Sequence, residues 1–364
     1  MPKPTTRATV HDIARAAGVA VGSVSRALNN RADVTPEIRE RILAAAKTLN
    51  YTPLRRRRSR NSAAGTAPAA TPSRIGLICF GMDDALVELP VVSAAMHGIE
   101  SAIGEEGGTL MFASVPKGDR VPAFLAENQI AGVIVKGPNQ GELPSVDDCP
   151  LLGHIYRVPH VWLMGCLPNA IGDHCNFDAD AAGRLAADHL KAKGHRHVAF
   201  LNPKPGHAQF EQMKRGFCEQ SRTLGSVVDV FEAERSAALV WPLPGTTSAE
   251  KVDALVQRWA AQPKTKRATA IAVGADTAAV QIYAAMNRLG VRVGRDVGVV
   301  SCNDEKSLIM GLNPPLTTVD VRADAIGRNA VARLNWRIAH PNDATPVTLL
   351  IKPVLNERGS VPKL

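Results

Sequence analysis

Apolar positions recur at helical spacing near the start of the chain, with Val10, Ile13, Ala14 and Ala17 on one face. Thr9 is placed to cap that helix, and Asp12, three residues on, completes a capping box. Gly18 can take the left-handed conformation that ends the helix and turns the chain. Val19, Val24 and Leu28 then give a second helix its buried side and leave a polar face of Ser23, Ser25, Arg26 and Asn29. A third helix follows, with Thr35 as N-cap, Pro36 in the first turn, and an apolar stripe of Ile38, Ile42, Leu43, Ala46 and Leu49. Tyr51 and Pro53 close this unit, read as residues 1–53.

Residues 54–74 are built from Arg, Ala, Ser and Pro, which offer nothing to a core and read as a basic flexible linker. Beyond them the pattern changes. Short β-branched runs at 75–80, 109–115, 132–136, 161–164, 197–201, 227–231, 270–273 and 297–302 predict strands. Amphipathic stretches at 92–105, 180–193, 209–224, 249–261, 277–289 and 323–338 predict helices between them. Such alternation implies parallel sheets covered on both faces. The units are too many for one small sheet. The predicted fold is therefore α/β, with two doubly wound parallel-sheet lobes over 75–364 behind a small all-α helix-turn-helix head.

Charge sharpens this picture. Residues 1–60 hold 13 of the 43 Lys and Arg but only 4 of the 34 Asp and Glu, so the whole excess of +9 sits there and the rest is balanced. A neutral body with a basic head suits a DNA binder, whose nonspecific affinity comes from phosphate neutralisation. A solvated charge run is the plainer alternative, but its coincidence with a helix pair favours the groove. The opening Met-Pro-Lys-Pro-Thr-Thr-Arg precedes no apolar export segment, no run could cross a bilayer, and the six cysteines form no Cys-x-x-Cys pair. The expectation is a cytoplasmic protein with no disulfide frame, metal, cofactor or membrane partner.

Several segments resemble the LacI family of transcriptional regulators over almost the whole length. In the head they are Asp-Ile-Ala-Arg-Ala-Ala-Gly-Val (12–19), Val-Ser-Arg-Ala-Leu-Asn (24–29), Val-Thr-Pro (34–36) and Leu-Asn-Tyr-Thr-Pro (49–53). In the body they are Leu-Ala-Ala-Asp-His-Leu-Lys-Ala-Lys-Gly-His-Arg-His-Val-Ala-Phe (185–200), Arg-Gly-Phe (215–217), Leu-Gly-Val-Arg-Val-Gly-Arg-Asp-Val-Gly-Val-Val (289–300) and Asn-Pro-Pro-Leu-Thr-Thr-Val (313–319). The resemblance implies a periplasmic-binding-protein-like body whose lobes close on a small molecule. One lobe would hold about 75–163 and 304–338, the other 164–303 and 347–360. It also implies a homodimer on inverted half-sites, acting as a sequence-specific regulator and more simply as a repressor.

By position in the family, Val21, Gly22 and Arg26 face base edges. Arg26 can bond guanine O6 and N7 together, with a phosphate contact as the alternative. Thr9, Ser23, Ser25, Asn29 and Tyr51 match positions that orient the head on phosphates, although Ser23 and Ser25 also read as plain surface hydroxyls. Ala20 stands where members carry a capping Ser or Thr. Arg60 stands where they insert a minor-groove leucine, and Leu54 is the tract's only large apolar residue. Arg55, Arg56, Arg57, Arg58 and Arg60 are therefore expected to follow phosphates or enter the minor groove without a leucine wedge.

For the cleft, Asp276, Asn303 and Asp304 follow predicted strands, where ligands bind in open α/β folds. Asp83 and Asp84 lie in a lengthened loop after the first strand. The plainer reading of each acid is a loop or helix cap. Leu89-Pro90-Val91-Val92 replaces the family's Asn-Pro-Phe-Phe, whose aromatics pack on ligand, so a sugar or small polar metabolite is expected over a stacked purine. A core that answers to no ligand is the alternative. An enzyme is disfavoured because no Gly-x-Ser-x-Gly, His-Glu-x-x-His or phosphate-loop tract occurs. The basic head and missing export segment disfavour a transport solute-binding protein.

Overall fold

Thr9 and Asp12 bond reciprocally at the head's first turn: Thr9 N donates to Asp12 Oδ2 at 2.9 Å, and Asp12 N to Thr9 Oγ1 at 3.4 Å. The box opens α1 (Val10–Ala17), and Gly18, at φ 64° and ψ 40°, ends it. Helices α2 (Val21–Leu28) and α3 (Pro36–Thr48) follow. Their shared core is Ile13, Ala14, Ala17, Val24, Ala27, Ile42 and Ala46. Arg41 donates to Ala17 O at 2.6 Å, so α3 holds the carbonyl end of α1. Leu43, expected in the apolar stripe, is 50% exposed; it lies about 100° round the helix from Ile42, off the core face. These observations come from a computed structural model that describes residues 9–28, 35–49, 74–165, 167–235 and 239–364. Within the head, the side chains of Val10 and Leu28 fall outside the description.

The body begins with β1 (Arg74–Phe80), α4 (Pro90–Glu105), β2 (Thr109–Val115), α5 (Ala123–Ala126), β3 (Gly132–Lys136), α6 (Pro150–Ile155), β4 (His160–Leu163) and β5 (Asp173–Phe177). It continues through α7 (Ala179–Ala192), β6 (His197–Asn202), α8 (Ala208–Thr223), β7 (Val227–Glu232), α9 (Ala249–Ala260), β8 (Ala270–Val273), α10 (Asp276–Arg288), β9 (Gly298–Cys302), α11 (Lys306–Ile309) and β10 (Thr317–Asp320). The last elements are α12 (Ala323–Ala339), β11 (Thr348–Ile351) and β12 (Val354–Asn356). All eight predicted strands and six predicted helices are present, with ends shifted by a residue or two.

Two six-stranded sheets result, ordered β11-β5-β4-β3-β1-β2 and β12-β10-β9-β8-β6-β7. Every pairing is parallel except β10 with β12. Pairing places the lobe boundaries differently from the sequence expectation. β5 and β11 belong to the first sheet and β10 to the second, so the chain crosses after Phe177, after Asp320 and after Ile351. Side-chain partners drawn from distant segments decide this. Asp173 of β5 is fully buried against Arg333 and Arg337 of α12, at 2.7 and 2.5 Å. Thr318 of β10 donates to Asp276 of α10 at 2.7 Å. Asp178 N donates to Ile351 O at 3.0 Å, tying the first and third crossings together.

Each lobe carries one close helix crossing built on glycine. A Cβ on Gly98 of α4 would sit 2.1 Å from Asp324 O, and one on Gly327 of α12 would sit 2.1 Å from Ala95 O. In the other lobe, Gly183 of α7 meets Met213 O and Gly216 of α8 meets Asp180 O at the same 2.1 Å. Backbones can approach this closely only where no side chain intervenes. No helix among the described residues is long and apolar enough to cross a membrane.

Candidate functional site

A cavity of about 80 Å³ opens where the strands of both sheets end: Lys136 closes β3, Phe177 closes β5, Lys204 follows β6, Gly274 follows β8 and Asn303 follows β9. On the scale of about 10–15 Å³ per water it holds a small molecule. One wall is apolar and mostly aliphatic, from Leu89, Val91 and Val92 at the start of α4, with Met213 and two rings, Phe177 and Phe210. The Leu-Pro-Val-Val segment thus lies where the sequence comparison expected a ligand wall.

Of the five residues expected to bind a ligand, Asn303 lines the cavity, in left-handed backbone at φ 115°. The other four are committed elsewhere. Asp276 is fully buried and accepts from Ser301 Oγ, from Thr318 Oγ1 at 2.7 Å and from Glu305 N at 2.7 Å. It holds β9, β10 and the loop before α11 in place. Burial pushes its pKa up to about 6, against the hydrogen bonds from Ser301, Glu305 N and Thr318. Asp304 faces the C-terminal segment, pairing with Arg358 at 2.6 Å and accepting from Asn356 Nδ2 at 2.9 Å. Asp83 accepts from Gly245 N at 2.9 Å, behind the cavity wall, and Asp84 accepts from Ser114 Oγ at 3.1 Å on the exposed side.

Sequence reasoning missed Lys136, Asn139, Lys204, His207, Gln209 and Glu305, all of which line the cavity. The signal was present, since each follows or ends a strand on the carboxyl side. The expectation falls instead on Asp276, Asn303 and Asp304 after their strands. Gln209 reaches across the cleft, donating to Asn176 Oδ1 at 2.7 Å and to Met164 O at 3.4 Å. Glu305 bridges it a second time, accepting from Val91 N at 3.2 Å.

Burial and then the neighbouring Asp276 push the Glu305 pKa up to about 7, against the bonds from Val91 N and Asn303. The unfolded chain ionises near the ordinary 4.5. Between those pH values the native state holds more protons, so this group's contribution to stability falls as pH rises from about 4.5 through 7. Glu305→Gln is expected to stabilise the protein at pH 8 by about 1–3 kcal/mol and to change little at pH 4. Thermal melts at both pH values check it, and equal melting temperatures at pH 8 would contradict it.

In the head, Val21 is 37% exposed, Gly22 is exposed and Ser23 half-buried, so the start of α2 presents small groups to solvent. Thr9 is exposed, and its hydroxyl bonds Asp12 Oδ2 at 2.7 Å within the cap. The side chains of Ser25 and Arg26, and residues Asn29, Tyr51, Arg55, Arg56, Arg57, Arg58 and Arg60, lie outside the described residues. His195, in the catalytic-looking Gly-His-Arg-His tract, is fully buried and spans Thr269 Oγ1 at 2.8 Å and Pro362 O at 3.0 Å. It is structural.

A tri-helical head whose second helix is exposed at its start, on the same chain as a two-lobed body with a strand-end cleft, defines a DNA-binding regulator with a ligand-binding-type body. Residues 9–53 match the model of bacterial regulatory proteins of the lacI family, and residues 187–361 match the periplasmic binding protein-like domain. The HTH-type transcriptional regulator MalR of Streptomyces coelicolor is 30% identical over 365 residues, covering 98% of this chain and 96% of MalR. The HTH-type transcriptional repressor PurR of Mannheimia succiniciproducens is 26% identical, covering 98% of this chain and 99% of PurR. A lac repressor dimer bound to operator and an anti-inducer superposes with a TM-score of 0.64 at 22% identity, covering 98% of this chain and all of that one. The regulator CelR in complex with cellobiose gives 0.63, also at 22%, over 97% of this chain and all of CelR. The chain belongs to the lacI family of bacterial regulatory proteins, and it is a transcription regulator rather than an enzyme.

Proposed function

We propose that two copies of the chain, in the cytoplasm, grip an operator with inverted half-sites and repress transcription, and that a sugar or related polar metabolite held between the lobes sets their affinity. The observation that carries this reading is the head's geometry. Thr9, Asp12, Gly18 and Arg41 fix the α1–α2 turn, and Val21 and Gly22 stand exposed at the start of α2. The operator-bound dimer and the cellobiose complex among the neighbours support the pairing and the ligand class. Ligand would act by favouring one angle between the lobes, which alters the alignment of the two heads.

Arg26 is the proposed base reader, while Thr9, Ser23, Ser25, Asn29 and Tyr51 orient the head. Arg26→Ala is expected to cost about 1–3 kcal/mol on operator DNA and little on random DNA of equal length. Gel retardation on both checks it. An equal loss on both would reassign Arg26 to a phosphate. The whole reading is tested by removing residues 1–60: undiminished affinity for promoter fragments would overturn it.

A further inference from the structure

Two lysines line the cavity, and among the described residues neither makes an ion pair. Lys136 is 2% exposed; its ammonium donates to Gly137 O at 2.7 Å and to Asn139 Oδ1 at 3.4 Å, both uncharged. Lys204 is half-buried and donates to Pro244 O at 3.3 Å and Gly245 O at 3.0 Å. Among the described residues no carboxylate lies within ion-pair distance of either. Asp83, which accepts from Gly245 N, favours the Lys204 charge from beyond ion-pair distance, so among the described residues Lys136 is the lysine left without any facing carboxylate. Cys79 lies beside Lys136, and burial pushes its thiol up to about 11, so it brings no negative charge at neutral pH. Beside the lysines, His207 Nδ1 is buried with no hydrogen-bond partner. Burial, then Lys204 and Lys136, hold the His207 pKa well below its ordinary value, so the ring is neutral and Nδ1 donates or accepts according to its tautomer.

A buried ammonium without a counter-charge is costly, and such sites are completed by an anion or by further donors and acceptors. We infer that the cavity takes a small polar ligand carrying one anionic group, a carboxylate or a phosphate, seated between Lys136, Lys204 and His207, with its hydroxyls toward Asn303 and Glu305. The opposite end suits hydroxyls. Asn303 Nδ2 donates to Glu305 Oε2 at 3.4 Å, and both residues line the cavity. The aliphatic wall of Leu89, Val91 and Val92 packs on carbon without requiring an aromatic ligand. The lysines hold most of their charge at pH 7, since burial lowers each pKa only to about 8.

This inference rests on the reading of the cleft as the effector site and narrows its ligand to anions. Isothermal titration of the full chain at pH 7 with D-gluconate, D-glucose 6-phosphate and D-glucose tests it. At least one charged probe is expected to bind about ten- to hundredfold more tightly than glucose. Whichever of the two does so identifies carboxylate or phosphate. Lys136→Met, and independently Lys204→Met, are expected to shrink that ratio to within about threefold. Replacing an unpaired buried cation by an apolar side chain of similar length should leave the fold intact, and a thermal melt verifies it. Glucose binding as tightly as both charged probes, no probe binding, or an unchanged ratio in both variants would overturn the inference. Operator retardation in the presence of each probe separates the two claims. A charged probe that binds without moving operator affinity removes the control reading and leaves the anion site. Operator affinity moved by glucose alone does the reverse.

Discussion

Asp173→Ala is expected to destabilise the body by about 3–5 kcal/mol and to lower its melting temperature by roughly 6–15 °C. The carboxylate is fully buried, and it accepts from Arg333 Nε at 2.7 Å, from Arg337 Nε at 3.0 Å and Nη2 at 2.5 Å, and from Val347 N at 2.8 Å. Removing it strands two largely buried guanidinium groups in the lobe that joins β5, α12 and the entry to β11. Burial alone would raise its pKa, but the bonds from Arg337, Arg333 and Val347 N outweigh that and hold it below the ordinary value. Its contribution is therefore present above the unfolded-state pKa and lost as pH falls through and below it. Asp173→Asn separates charge from shape. If the ion pairs are responsible, asparagine loses most of what alanine loses. A wild-type melting temperature for Asp173→Asn would show that hydrogen-bond geometry suffices.

Replacing Arg55, Arg56, Arg57, Arg58 and Arg60 together by alanine is expected to cut affinity for operator and random duplex alike, by about 10³-fold or more at moderate salt. Each phosphate neutralised contributes about 0.9 to the slope of log affinity against log salt, so the slope should fall by roughly 4–5 per head. The ratio of operator to random binding should change far less, because phosphate contacts carry no sequence information directly. Retardation assays across a salt series measure both. Lost specificity with an unchanged slope would place these arginines on bases. The absence of a leucine wedge is tested alongside, since a sharp central operator kink abolished by Leu54→Ala would contradict it.

The parts of this molecule that were legible in sequence are those whose residues report on themselves. Thr9, Asp12 and Gly18 act on their own backbone, so the head's first helix could be read with its caps. Runs such as Gly132–Lys136, buried on both faces, announce a strand by composition. β5 did not, because Asp173, His174 and Asn176 are polar, and the Arg333 and Arg337 that hold Asp173 and the Gln209 that reaches Asn176 lie far along the chain. β10, Thr-Thr-Val-Asp, is buried with Thr318 on Asp276, again a remote pairing. The lobe boundaries implied by the resemblance differ from the observed ones because the residues of β5, β10 and β11 do not say which sheet receives them. In the cleft, Asp276 and Asp304 stand at strand ends as expected, but each is consumed by neighbours that only tertiary contact supplies. Lys136 ends the apolar strand β3, and the cavity it lines is assembled from segments far along the chain.

The glycine contacts between α4 and α12, and between α7 and α8, bear on how a ligand could be felt at the DNA. Helices locked backbone to backbone have no slack with which to deform, so each lobe behaves as one stiff block. Whatever an effector changes must then appear as a turn of one block against the other. The swivel is confined to the short segments after Phe177, Asp320 and Ile351, and substitutions that uncouple sensing from DNA binding should gather there.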